Sequence, residues 1–128
     1  MTVAAHLDAL RAAAPGCQVA AFGDLRSALV LRVSAGRSLP RERLDELCAQ
    51  AAACLTGPGA ASVQAGFLPA GAAALREAIL LCPGETRLYL RSEQDPDDVL
   101  CCVFDTPAAA RAGIDAARAT LDRIGAAG

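Results

Sequence analysis

Two cysteines stand side by side at Cys101-Cys102, inside the stretch VLCCVF at 99–104, and thiols so placed could do chemistry. A thiol pair can ligate a soft metal, close a strained disulfide or carry redox equivalents. Neighbouring side chains of a strand point to opposite faces, however, so these two cannot grip one ion. With both faces covered, each is a small buried hydrophobe. The six cysteines contain no C-x-x-C, and a zinc site would have to recruit the lone histidine, His6. No metal and no cofactor is expected. His6 lies at the border of a helical apolar stripe and reads as half-exposed; a Ser-His-Asp relay would depend on it alone. Asp95, Asp97 and Asp98 in QDPDD lack the spacing and glycine of an EF-hand and read as a solvated turn. The glycine-rich stretch 57–71 has no G-x-G-x-x-G and follows a helix, so it is not a dinucleotide loop. All 12 basic residues are arginine, which excludes a Schiff-base lysine and a P-loop lysine. No nucleophile–base pair emerges, and no catalytic residue is assigned.

The elements that must position these residues follow from periodicity and caps. Thr2 caps a helix with the stripe Val3, Leu7, Leu10 and Ala14, stopped by Pro15-Gly16. Residues 17–22 (CQVAAF) and 28–33 (ALVLRV) read as strands around a turn at 23–27. Ser38 is the expected cap of a second helix, with Pro40 in its first turn and the stripe Leu44, Leu47, Cys48, Ala51 and Leu55. Gly57-Pro58 ends it. The irregular segment 57–74 reads as a mobile loop with Phe67 and Leu68 tucked down. Strands at 78–82 (AILLC) and 87–92 (RLYLRS) join through Pro83-Gly84, a type II turn pair, and residues 99–104 form a fifth strand. Thr106 caps the last helix, Pro107 takes its first position, and Ala110, Ile114, Ala117, Leu121 and Ile124 make its stripe. Arg111–Asp115 and Arg118–Asp122 are spaced as i,i+4 pairs. Several strands are continuous apolar runs, which implies helices on both faces of the sheet.

The 128 residues suit a single domain, 1–128, and a hydrophobic fraction of 54% against 20% charged suits a packed core. A formal net charge of -2 argues against nucleic acid or an anionic membrane as main partner. The N-terminal residues carry Asp8 and Arg11 and no signal-peptide run, and no segment reaches the ~20 apolar residues of a membrane span. A cytoplasmic location is expected, where thiols stay reduced. The lack of lysine, asparagine and tryptophan beside abundant alanine, arginine and glycine fits GC-rich coding and hints at a bacterial source.

The order helix, two strands, helix, three strands, helix is an α+β pattern. With the segments CQVAAFGDLRSALVL, LPRERLDELCAQAAACL, AILLCPGETRLYL and DDVLCCVFD in sequence, it resembles the Roadblock / dynein light-chain family from about residue 3 to 124. The resemblance implies a profilin-like α-β-β-α-β-β-β-α fold: a central antiparallel five-stranded sheet, one long helix on one face and two terminal helices on the other. It also implies a dimer whose central helices and third strands pair, and a role in binding or regulating a small Ras-like GTPase as a scaffold or adaptor rather than an enzyme.

The second helix fits a dimer on its own terms. Its apolar arc extends to Ala52 and Cys54, and Cys48, Ala51, Ala52 and Ala53 are small enough for a close helix approach. With the third strand supplied by the resemblance, the expected homodimer interface is Leu44, Cys48, Ala51, Ala52, Leu55, Ala78, Ile79, Leu80 and Leu81. The alternative reading is a profilin-like small-molecule sensor with residues 57–74 as a lid.

Overall fold

A computed structural model of the chain describes residues 1–56 and 75–127. The expected stop at Gly57-Pro58 and the loop with Phe67 and Leu68 lie outside the described residues. Helix α1 (Val3–Ala13) opens at Thr2, whose hydroxyl accepts the Ala5 amide at 3.1 Å. Strand β1 (Cys17–Asp24) and strand β2 (Leu29–Ala35) form a hairpin. Helix α2 (Arg41–Thr56) then carries the chain from β2 to β3 (Glu77–Cys82), which continues into β4 (Glu85–Arg91) and β5 (Asp98–Phe104). Helix α3 (Pro107–Ala127) closes the order.

The five strands make one antiparallel sheet in the order β2-β1-β5-β4-β3. This is the expected α+β architecture with helices on both faces. On one face α1 and α3 bury Leu7, Leu10 and Leu121 against Phe22, Leu100 and Phe104. On the other, α2 lays Leu44, Cys48, Ala51 and Leu55 onto Ala21, Tyr89, Val99 and Cys101. Each fully buried leucine contributes about 1.5–3 kcal/mol. Gly23 lets α2 come this close, since a Cβ there would lie 2.9 Å from the Cys48 sulfur and from the Leu29 carbonyl oxygen. Gly84 supplies φ +79 at the β3–β4 turn, as a type II turn requires of its third residue.

Several local expectations are corrected. Ala28 is not the first residue of a strand: it sits in the β1–β2 turn at φ +58, and β2 runs on to Ala35. The turn is held instead by Asp24, whose carboxylate accepts the Ser27 amide at 2.8 Å and its hydroxyl at 2.7 Å. Ser38 does not cap α2. The Pro40 carbonyl accepts the Arg43 and Leu44 amides at 3.1 and 3.3 Å, so Pro40 stands just before the helix, where a fixed φ and a missing N–H cost nothing. His6 is buried, not half-exposed, because α1 packs against α3 as well as the hairpin and its covered arc is wider than the leucine stripe. The i,i+4 pairs on α3 do not form. Arg118 turns instead to the Arg91 carbonyl at 2.7 Å and the Glu77 carboxylate at 3.8 Å, while Arg111 is exposed to competing water. Thr106 behaves as expected, its hydroxyl accepting the Ala109 amide at 3.1 Å.

The apolar runs also divide. β4 and β5 are buried on both faces, but β2 and β3 are edge strands that the helices cover only in part. Leu29, Leu31 and Val33 on β2 and Ile79 and Leu81 on β3 are exposed.

Candidate interaction interface

β3 is hydrogen-bonded to β4 on one side, with Ile79 opposite Leu88 and Leu81 opposite Thr86, and its other side pairs with no described strand. Its side chains alternate in burial. Ala78 and Leu80 turn toward the cluster under α2, whereas Ile79 is 44% and Leu81 67% exposed. An uncovered edge carrying large apolar side chains is a template for another strand.

Next to this edge lies α2. Of the helix residues expected at a dimer interface, Leu44, Cys48, Ala51 and Leu55 are buried in the chain's own core. They back the surface and do not form it. Ala52 is half-buried against the same cluster as Ala78 and Leu80. Ala53, one of the small residues expected to allow a close helix approach, and Ala49, which the sequence reading does not single out, are the exposed small residues of the helix. Their signal is positional, because they lie one residue outside the buried stripe on the solvent side.

A polar network with no motif in the sequence anchors α2 beside β3. Arg87 is 6% exposed, and its guanidinium donates to Glu85 Oε2 at 2.8 Å, to Glu46 Oε1 at 3.3 Å and to Gln50 Oε1 at 2.5 Å. The Tyr89 hydroxyl donates to the same Gln50 oxygen. Arg43 closes the network with both oxygens of Glu85, at 2.8 and 2.9 Å. Burial works against the charge on Glu85, but the hydrogen bonds and charges of Arg87 and Arg43 outweigh it and hold its carboxyl below the usual range. Burial likewise opposes the charge on Arg87, and its bonds to Glu85 and Tyr89 reverse the balance. Burial raises the Tyr89 hydroxyl above its ordinary value. The network therefore fixes the distance between α2 and β4 and, through β4, the β3 edge.

The residues singled out for chemistry stand apart. Cys101 faces the α2 cluster and Cys102 the α1–α3 cluster, both fully buried, as alternation along β5 requires. Donating a hydrogen bond to Cys48 together with burial pushes the Cys101 thiol up, and donation to Cys17 with burial does the same to Cys102. Asp95 organises its own turn, its carboxylate accepting the Asp97 amide at 3.0 Å. Among the described residues, no three of His, Cys, Asp and Glu are grouped to hold a metal, and no helix is long and apolar enough to cross a membrane.

No family model and no curated protein matches the sequence. Solved structures do match the fold. A Roadblock/LC7 domain from Streptomyces avermitilis superposes with a TM-score of 0.71 at 16% identity, over 94% of this chain and 92% of that one. The gliding protein MglB from Thermus thermophilus gives 0.70 at 20% identity, over 98% and 90%. A structure of MglB in a tetrameric arrangement gives 0.68 at 20% identity, over 98% and 88%. The five-stranded antiparallel sheet, with α2 on one face and α1 and α3 on the other among the described residues, thus has the Roadblock/LC7 fold.

Proposed function

We propose that this chain is a non-enzymatic adaptor that acts as a homodimer and binds or regulates a small Ras-like GTPase. The observation that carries the reading is the β3 edge, which pairs with no described strand and exposes Ile79 and Leu81 on the face away from α2. Pairing β3 with its copy across a two-fold axis removes the edge and continues the sheet, and the same axis brings the α2 helices together over Ala49, Ala52 and Ala53. The tetrameric arrangement of MglB, a protein of the same fold, supports self-association. The GTPase partner rests on the resemblance of the element order and its segments to the Roadblock / dynein light-chain family. The buried charges support an adaptor: Arg87 and Glu85 are satisfied by each other and by α2 instead of converging on a reacting site.

Light scattering at micromolar concentration tests the interface. The wild type should be a dimer, and Leu81→Asp, which alters an exposed side chain, a folded monomer. A wild-type monomer, or a Leu81→Asp dimer of unchanged affinity, would overturn it. The partner is tested by co-purification from the source cells with the wild type as bait: recovery of a Ras-like GTPase supports the reading, and its absence counts against it.

A further inference from the structure

Beyond the β3 edge, a cavity of about 470 Å³ opens beside the N-terminal half of α2, where the end of β2, the start of β1 and the end of β5 meet. Its floor is apolar core: Val19, Leu47 and Val103 form one buried cluster, with Leu39 and Ala35 packed against it. Its rim is cationic, with Arg11 from α1, Arg37 from the segment after β2 and Arg43 from α2, against one carboxylate, Glu85.

These charges are not equally engaged. Arg43 is bound to both oxygens of Glu85, which also takes Arg87. Arg11 meets only a neutral partner, donating to Ser34 Oγ at 3.2 Å, and its Nε is buried without an acceptor. Arg37 is exposed, and neither Arg11 nor Arg37 is ion-paired among the described residues. Ser34 in turn donates to the Asp8 carboxylate, so Arg11 reaches a negative charge only through a hydroxyl, and two guanidiniums without a direct ion pair among the described residues stand over an apolar floor.

The backbone is shaped to the same opening. The β1–β5 register breaks between Cys17 and Val19, so that Gln18 bulges at the cavity wall. Gly36 lets Arg11 lie across the end of β2, since a Cβ there would come within 3.1 Å of its Nη2. We propose that this cavity binds a small organic anion, its carboxylate or phosphate head held by Arg11 and Arg37 and its apolar body resting on Val19, Leu47 and Val103. The planar fork of arginine suits such a head, and the volume falls in the ~300–1,000 Å³ range of small-molecule sites. A bare inorganic ion would leave the floor uncovered, and a neutral apolar molecule would leave the arginines unanswered.

The test is calorimetric titration of the full chain with octanoate, octyl phosphate, octanol and inorganic phosphate. At least one of the two amphiphilic anions should bind roughly tenfold or more tighter than octanol and inorganic phosphate, as expected for a charge-assisted contact made together with apolar burial. The tighter of the two identifies the head group. Arg37→Met should weaken that binding by roughly tenfold while leaving thermal melting unchanged, and Arg37→Lys should restore part of it. Amide shifts on titration should centre on Val19, Gly36 and Val103. Octanol binding as tightly as the anions, affinity untouched in Arg37→Met, or shifts centred elsewhere would each overturn the proposal, as would no heat from either anion at millimolar concentration.

Discussion

At the scale of single residues, the two adjacent thiols are inert because of where β5 sends them. Cys101 and Cys102 are fully buried on opposite faces, and both are pushed away from the thiolate that reacts. A thiol-specific reagent should leave both unlabelled in the native protein and modify them only on unfolding; rapid native labelling of either would contradict this. Ala28 is a strained residue, held at φ +58 where a Cβ costs about 1–2 kcal/mol. Ala28→Gly should therefore stabilise the protein by about 0.5–1 kcal/mol after the larger unfolded-state entropy of glycine is subtracted, measured by urea unfolding. Glu85 sets a pH dependence. Its folded carboxyl is held below its unfolded value, so its contribution is complete above the unfolded value of about 4.3 and is lost as pH falls through the folded one. Stability should drop on acidification below about pH 4.5, and Glu85→Gln should flatten that slope. An unchanged slope would mean the pair carries no charge-dependent stability.

At the scale of elements, α2 is attached by two different kinds of contact. Its inner stripe is apolar, but its β4 side is held by Gln50, whose oxygen receives both Arg87 and Tyr89. Removing that oxygen leaves a buried hydroxyl and part of a buried guanidinium unpaired. Gln50→Ala should cost about 1–3 kcal/mol, and Tyr89→Phe about 1 kcal/mol. The double variant should cost less than the sum, because the two share one bond. Strict additivity in chemical denaturation would show that the hydroxyl and amide do not depend on each other.

At the scale of the whole molecule, the sheet ends in two exposed apolar edges. β2 presents Leu29, Leu31 and Val33, and β3 presents Ile79 and Leu81. Leu81 is the most exposed of these side chains, and the family resemblance pairs third strands, which is why the homodimer is placed at β3. If folding and association are linked, the melting temperature of the wild type should rise with protein concentration. That of Leu81→Asp should be lower and independent of concentration. A wild-type melting temperature that does not move with concentration would detach stability from dimerisation.

The order of elements, the caps at Thr2 and Thr106, the Pro83-Gly84 turn and the opposite faces of Cys101 and Cys102 were all legible in the sequence. They depend on interactions within a few residues, and periodicity and turn chemistry record those directly. Strand order is another matter. The run ALVLRV at 28–33 looks as buried as VLCCVF at 99–104, yet β2 is an edge and β5 lies in the interior of the sheet. An apolar run reports the character of a surface and not what covers it, be that a helix of the same chain or another copy. For the same reason the stripe Leu44, Cys48, Ala51 and Leu55 reads as an interface in the sequence, although the sheet of the same chain occupies it. The Arg87–Gln50–Tyr89 network and the cavity shared by Arg11, Arg37 and Arg43 had no local signature at all. Their members come from separate elements, and only the long-range packing of helices on the sheet, which no short window of sequence contains, decides that they meet.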